Sequence, residues 1–169
     1  MGTPKADLVV AGRRLLDRAI EAARAGGCDP VLAVVRPGTQ APGVRLIVNP
    51  APERGMRSSL ALAVTAAEGA AALAVLLVDA PGVGADAVRE VVLAWRPGRI
   101  AVGRYAGRRG HPTVMALDLW HVALGLAGPD EGARALLTAH PQLVDDVDVA
   151  GDPADLDTPA DLASWLSAR

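Results

Sequence analysis

The sequence contains no phenylalanine, one tyrosine and a single cysteine, Cys28. One cysteine can form neither an intrachain disulfide nor a cysteine metal cluster, so a reducing compartment, the cytoplasm, is expected. The sequence shows no apolar run long enough to span a bilayer and no signal peptide. Acidic and basic residues are interspersed, with a formal net charge of −2 and no basic stripe. We therefore expect neither a membrane nor a nucleic acid as partner.

Small aliphatic residues dominate the composition, which is 51% hydrophobic over 169 residues. That length suits one domain with a full core. Hydrophobic patterning predicts strands at 31–35, 44–48, 74–78, 100–105, 111–117 and 144–149, and helices at 13–26, 58–68, 86–94, 118–126, 131–139 and from 159 onward. This alternation predicts an α/β fold with a doubly wound, mainly parallel sheet. No linker divides residues 1–169, so a single domain is expected.

Asp79 is the first candidate functional residue, because it directly follows the strongest predicted strand. Ligands of open α/β sheets bind beyond the carboxyl ends of the strands. A carboxylate there needs a compensating positive charge, which a divalent cation such as Mg2+ supplies. The alternative is that Asp79 caps a turn or the next helix. Because that helix begins several residues later, near Ala85, the metal interpretation is favoured.

The second acidic candidate is Asp157, near the start of the last predicted helix. Thr158 and Pro159 form a helix-entry signal, with Thr158 as N-cap and Pro159 in the first helical position. Asp161 then lies in the first turn, where the helix dipole stabilises it. Asp157 lies just outside the helix, and its spacing alone leaves a functional and a structural role equally open.

Three further segments contain polar candidates of lower specificity. Residues 1–5 combine Gly2, a proline and Lys5, which could hold an ammonium against phosphates, although chain ends are more often frayed. Residues 49–59 run from a strand end to a helix start, so they form either a ligand loop or an ordinary connection. His111 opens a predicted strand after a turn at 107–110 and could bind substrate, although an exposed turn histidine is commoner.

In order, these segments resemble the MobA-like NTP transferases, which include molybdenum cofactor cytidylyltransferases and guanylyltransferase relatives. The matching segments are spread across the whole chain: 1–5 (MGTPK), 49–59 (NPAPERGMRSS), 77–83 (LVDAPGV), 107–112 (GRRGHP), 128–134 (GPDEGAR) and 157–161 (DTPAD). The resemblance implies a Rossmann-like fold of the nucleotide-diphospho-sugar-transferase type. It also implies attack of an acceptor phosphate on the α-phosphorus of an NTP, with release of pyrophosphate.

The resemblance assigns a role to each candidate residue. Lys5 and Asp79 would be catalytic, with Lys5 on the triphosphate and Asp79 holding Mg2+. Asp157 would be a second metal ligand. Nucleotide or acceptor contacts would come from Gly2, Asn49, Ser58, Ser59, His111 and Arg134. Charge neutralisation and alignment are the main requirements of such a reaction.

The sequence departs from the family pattern at its start. Family members place a strand and a Gly-rich loop directly before the Met-Gly-x-Pro-Lys segment, whereas this chain begins at that methionine. The expectation is therefore an N-terminally shortened domain, because a missing central strand leaves backbone groups of both neighbours unpaired.

Transfer of CMP to a phosphorylated acceptor such as molybdopterin is the favoured function, since segments 107–112 and 128–134 are closer to the cytidylyl branch. CTP and the acceptor would be the partners, with a molybdoenzyme as a further candidate. The alternatives are a guanylyltransferase relative and a non-catalytic nucleotide-binding or accessory protein of molybdoenzyme maturation. An oxidoreductase is disfavoured because no dinucleotide-binding glycine fingerprint follows a first strand.

Overall fold

The computed structural model describes residues 4–167, and the predicted alternation of strands and helices is confirmed. Short 3-10 turns at Lys5–Asp7, Pro52–Arg54 and Pro141–Leu143 join the regular elements. In chain order these are β1 (Val9–Val10), β2 (Arg13–Arg14), α1 (Leu15–Ala25), β3 (Leu32–Val35), β4 (Arg45–Val48), α2 (Met56–Ala66), β5 (Leu73–Val75), α3 (Ala85–Ala94), β6 (Ile100–Tyr105), β7 (Arg108–Met115), α4 (Leu117–Leu126), α5 (Arg134–Ala139), β8 (Val144–Asp148) and α6 (Pro159–Ser167).

The main sheet has four strands in the order β5-β7-β6-β8. Strand β6 is parallel to β8, whereas β7 is antiparallel to both β5 and β6, so only β7 runs against the other three. Strand β3 pairs in parallel with β4 in a separate two-stranded sheet, and β1 pairs with β2 in a small hairpin. The α/β, Rossmann-like fold class is thereby confirmed, with one reversed strand in its sheet.

Helices cover both faces of this sheet, as a doubly wound fold requires. Alternate residues of a strand point to opposite faces. Ile100 and Val102 of β6 pack in a core with α2 and α4, whereas Ala101 between them packs against Val91 of α3. All three β6 residues are buried, which explains why the strand is apolar without alternation.

The hairpin between β6 and β7 is tighter than the sequence predicted. We expected a turn at 107–110, but Tyr105 pairs directly with Arg108, leaving Ala106 and Gly107 as the turn. Both turn residues have positive φ, 47° and 83°, which matches the handedness of a two-residue hairpin loop. Strand β7 therefore starts three residues earlier than predicted, and His111 lies within it.

Strand β5 is shorter than predicted: it ends at Val75, and Asp79 lies in a turn four residues later. The prediction of a strand over 74–78 was wrong at its C-terminal end. Pairing with β7 stops at Val75 and Thr113, and the next residue of β7 is Pro112, which has no backbone N–H to donate. Within the described part of the chain, residues 76–78 therefore continue with no strand paired on the side that faces β7.

A cleft of about 1460 Å3 lies between the two sheets. Residues 32–34 of β3 and 73–78 around β5 both line it, and α1 and α2 contribute apolar side chains. Within residues 4–167, no strand pairs with β3 on the side away from β4 or with β5 on the side away from β7. Among these same residues, no helix has the length and apolar character required to cross a membrane.

Candidate active site

Lys5 and Asp79, which are 74 residues apart in sequence, are in direct contact. The Lys5 Nζ donates to Asp79 Oδ2 at 2.8 Å. Lys5 follows Pro4 in the first 3-10 turn, and the bond from Leu15 N to Leu8 O, at 2.9 Å, holds the segment after that turn against α1. The Asp79 side chain is 19% exposed and does not cap α3, whose N-cap is Gly84. The capping alternative for that helix is therefore excluded.

Asp157 joins this pair through the same ammonium group, because Lys5 Nζ also donates to Asp157 Oδ1. Two backbone bonds hold the C-terminal segment beside the Asp79 turn: Leu156 N donates to Asp79 O at 2.8 Å, and Asp152 N to Gly82 O at 3.2 Å. Leu156 is buried, so the side chains on either side of it turn outward.

The helix-entry signal after Asp157 has the expected structure. Asp161 N donates to Thr158 Oγ1 at 3.2 Å, and Asp161 Oδ2 accepts from Thr158 N at 2.7 Å and Asp157 N at 3.1 Å. This reciprocal arrangement is a capping box. Asp161 is thus structural, as predicted, while the Asp157 carboxylate remains outside the cap.

Asp155 is a third carboxylate at this site, and sequence reasoning missed it. Although its side chain reaches solvent, partial desolvation and the charges of Asp79 and Asp157 raise its pKa. The signal was available in the sequence: in extended backbone, Asp155 and Asp157 flank the buried Leu156 and therefore share a face. Asp155 is thus close enough to feel the charges of Asp79 and Asp157, the two carboxylates that hold the ammonium.

Burial and charge act in opposite directions on Lys5. Desolvation by itself lowers the pKa of Lys5, but hydrogen bonds to Asp157 and Asp79 outweigh it, and the net pKa is raised. The ammonium is therefore held in its charged form as the cation of the cluster. It is 36% exposed, whereas Asp157 is 65% exposed.

The carboxylate pair fits the donor set of a magnesium site. Mg2+ is commonly held by one or two carboxylates, with water and substrate phosphates completing its ligands. Asp79 and Asp157 supply two carboxylates that converge on one positive group. Residues 4–167 contain no group of three or more His, Cys, Asp or Glu side chains arranged to hold a metal by themselves. The remaining ligands would therefore have to be water and phosphate.

Asn49, Ser58 and Ser59 form a hydrogen-bonded cluster at the start of α2. The amide Nδ2 of Asn49 donates to Ser58 Oγ at 2.9 Å and to Ser59 Oγ at 3.0 Å, and its Oδ1 accepts from Ala51 N at 3.0 Å. Ser58 Oγ in turn donates to Gly55 O at 2.8 Å. Asn49 is 3% exposed, so its amide supports the loop, while Ser59 lines the cleft.

His111 is oriented by the backbone of β5. Its Nδ1 lies 3.1 Å from Val75 O, and because a carbonyl only accepts, Nδ1 carries the proton and Nε2 is left as an acceptor. Burial lowers the pKa of His111 despite this bond, so the imidazole is neutral. Tyr105 also donates its hydroxyl to the backbone carbonyl of His111.

The cleft joins several of the predicted substrate residues. Ser59, His111, Arg134 and Asp155 all line it. Arg134 is exposed at the start of α5, and within residues 4–167 no carboxylate pairs with its guanidinium. Gly2 lies outside the described residues. The structure therefore places a carboxylate–ammonium cluster next to a cleft with an unpaired arginine, a neutral histidine and a serine hydroxyl.

Comparisons with known proteins show which family and which structures this chain resembles. Residues 1–144 match the family model described as MobA-like NTP transferase domain. The chain is 34% identical over 171 residues to nicotine blue oxidoreductase from Paenarthrobacter nicotinovorans, covering 92% of this chain and 84% of that protein. Its fold is similar to the crystal structure of Rv0371c from Mycobacterium tuberculosis H37Rv, with a TM-score of 0.82, 25% identity, and coverage of 100% of this chain and 91% of that chain. A complex of Rv0371C with manganese from the same organism has a TM-score of 0.73 and 22% identity, covering 98% and 92%.

Proposed function

Since this chain belongs to the MobA-like NTP transferase domain family, we propose that it transfers CMP from CTP to a phosphorylated small-molecule acceptor such as molybdopterin. Family membership makes it a nucleotidyltransferase that uses a nucleoside triphosphate. The nucleotide base, the acceptor and the residue roles are our proposal. So is the assignment of residues 1–169 to one such domain.

The observation that carries the proposal is the contact of Lys5 with Asp79 and Asp157 beside the cleft. These groups come from near the start, the middle and near the end of the chain, and together they supply the phosphate-binding lysine and the two metal ligands that the resemblance implies. A purely structural ion pair has no need of two carboxylates on one ammonium, because like charges at close range destabilise each other.

The proposed reaction forms one bond and breaks one. A phosphate oxygen of the acceptor attacks the α-phosphorus of CTP, and the bond from that phosphorus to the oxygen bridging to the β-phosphate breaks. Pyrophosphate leaves with the bond electrons, and the product contains a new phosphoanhydride. Lys5 would neutralise charge on the triphosphate, and Arg134 would hold the phosphate of the acceptor.

The other cleft residues would orient the substrates. Neutral His111 offers Nε2 as an acceptor for a substrate hydroxyl or amine, because Nδ1–H is used by Val75 O. Ser59 accepts from Asn49, which leaves its own proton for a substrate oxygen. Ser58 and Asn49 would act by holding Ser59 in place.

Asp79 and Asp157 would hold Mg2+. The ion would neutralise phosphate charge and act as a Lewis acid toward the transferred group. The manganese complex of Rv0371C supports a divalent cation in a protein of this fold. The free cysteine Cys28 fits a reducing compartment, and we propose the cytoplasm.

A second candidate function is favoured by one comparison. The similarity to nicotine blue oxidoreductase makes oxidoreductase activity on an organic substrate the second candidate. Two further candidates are a guanylyltransferase and a non-catalytic nucleotide-binding or accessory protein of molybdoenzyme maturation. Each candidate function predicts a different ligand, so direct assays separate them.

The test incubates the protein and Mg2+ with molybdopterin and CTP or GTP labelled at the α-phosphate. We expect label transfer from CTP and stoichiometric pyrophosphate release. Asp79→Asn should lower the rate on the order of 100-fold or more, because it removes a charge that acts on the phosphates. Asp86→Asn is the matched control: Asp86 lies on α3, is 83% exposed and, among the residues that the structure describes, pairs only with Arg89, so the rate of this variant should be unchanged.

The contrary outcomes are specific. Transfer from GTP alone would replace the cytidylyl assignment by the guanylyl one. Consumption of NAD(P)H with an organic acceptor, and no NTP turnover, would overturn the proposed CMP transfer in favour of the oxidoreductase. Nucleotide binding without turnover in the wild type would support the accessory role.

A further inference from the structure

Lys5 is the only lysine in the chain; the other sixteen of its seventeen basic residues are arginines. Its ammonium donates to both carboxylates that we propose as metal ligands. One positive group therefore stands between Asp79 and Asp157, in the position where a cation bridging them would be placed.

The choice of lysine is physically informative. An arginine would make planar, two-point contacts with a carboxylate and be held by them, whereas an ammonium is a compact charge on a flexible four-carbon stem. The Lys5 side chain is 36% exposed and starts from a short turn near the chain end. The ammonium can therefore leave the carboxylates by rotation of its own side chain, without movement of the sheet.

The charge balance favours such an exchange. Asp79 and Asp157 share one ammonium, Asp155 lies within range of both their charges, and the nearby histidine is neutral, so the cluster has excess negative charge. A divalent cation neutralises two of these charges where Lys5 neutralises one. Once it is bound, the cation repels the ammonium that it has replaced.

We propose that Lys5 is an exchangeable counter-cation: a divalent metal binding to Asp79 and Asp157 displaces its ammonium, which is then free to bind the triphosphate. This rests on the proposed function, because it takes these two aspartates as the metal ligands. Metal and nucleotide then bind cooperatively, since the metal releases the group that the nucleotide uses. By linkage, the nucleotide raises metal affinity by the same factor.

The first test measures Mn2+ binding by titration calorimetry, without nucleotide, to the wild type and to Lys5→Met. Methionine retains an unbranched apolar stem and removes the competing charge. We expect Mn2+ to bind Lys5→Met about tenfold or more tightly than the wild type. Arg13→Met is the matched control: it removes one positive charge from an exposed pair with Glu21, and its Mn2+ affinity should equal that of the wild type.

The second test uses the fact that there is only one lysine. Acetylation of Lys5 by acetic anhydride abolishes tryptic cleavage after residue 5, so peptide mass spectrometry reports its reactivity separately from that of the terminal amine. We expect saturating Mg2+ to increase the acetylation rate several-fold. A non-hydrolysable CTP analogue added with Mg2+ should reduce it again, because the ammonium then binds the triphosphate.

The outcomes separate this inference from the proposed function. Mn2+ affinity that is abolished by Asp79→Asn, yet equal or weaker in Lys5→Met than in the wild type, would overturn the exchange while keeping the metal site. Mn2+ affinity unaffected by Asp79→Asn would overturn both the metal ligands and the exchange. Unchanged Lys5 reactivity at saturating Mg2+ would show that the ammonium stays in place and would overturn the exchange.

Discussion

Replacing Asn49 by alanine should destabilise the protein strongly, because this side chain is a buried structural link at the edge of the cleft. Its amide makes three hydrogen bonds, to Ser58, Ser59 and Ala51, and it is 3% exposed. Each such bond contributes about 1 kcal/mol net, so the loss is about 3 kcal/mol. For a domain of this size that corresponds to a decrease of about 6–12 °C in Tm.

The assay is urea denaturation followed by circular dichroism, with Tm measured in parallel. Gln142→Ala is the control, because Gln142 is an exposed polar residue and its loss should change the free energy of unfolding by less than about 0.5 kcal/mol. Combining Asn49→Ala with Ser59→Ala tests the link itself. The destabilisation of the double variant should be smaller than the sum of the two single destabilisations by about 1 kcal/mol.

A free energy of unfolding for Asn49→Ala within about 0.5 kcal/mol of the wild type would refute this reasoning. Asn49 would then be unnecessary for the loop, and direct contact with a substrate would become the better explanation of its presence. Activity distinguishes the two roles as well. If the role of Asn49 is structural, Ser59→Ala should cause part of the activity loss of Asn49→Ala, with a much smaller decrease in the free energy of unfolding.

Two further predictions concern residues around β7. Gly110→Ala should lower Mn2+ affinity about tenfold, because a Cβ at Gly110 would lie 2.4 Å from Pro153 Cβ and displace the loop that carries the acidic residues. Gly125→Ala is the control: a Cβ there has nothing within 4 Å, so Mn2+ affinity should be unchanged. Equal affinities in both variants would contradict the prediction. The free energy of unfolding should fall as pH drops below about 6.5. His111 then becomes protonated in the unfolded chain, whereas the lowered pKa of His111 keeps the imidazole neutral in the folded chain. Urea titrations at several pH values should show a weaker dependence in His111→Gln over this window, and an identical slope would contradict the assignment.

The positions of most helices and strands were accessible from local patterns. The predicted helix at 86–94 is observed at Ala85–Ala94, and the predicted strand at 100–105 at Ile100–Tyr105. These elements have continuous apolar faces that pack on a core, so their local signal and their tertiary environment agree. The capping box at Thr158 and Asp161 was predictable for the same reason, because both partners lie within one turn.

The errors occurred where a distant partner decides the local structure. Strand β5 stops at Val75 because the β7 residue next to its partner Thr113 is Pro112, almost forty residues away in sequence. The hairpin turn shifted to Ala106 and Gly107 because the pairing of β6 with β7 selects a two-residue loop. Single-segment patterns contain no information on which residues face each other across a sheet.

The sequence by itself determined the α/β class, the order of the elements and the identity of Lys5, Asp79 and Asp157 as candidates, because ordered motifs and hydrophobic periodicity are local properties. Only the tertiary structure decided that one ammonium bridges both carboxylates, that Asp155 joins them and that the Asn49 amide is already used. These facts depend on contacts between segments as much as 152 residues apart. Such contacts form only when the chain packs, because the backbone hydrogen bonds beside Asp79 and the burial of Leu156 bring the two ends of the chain together.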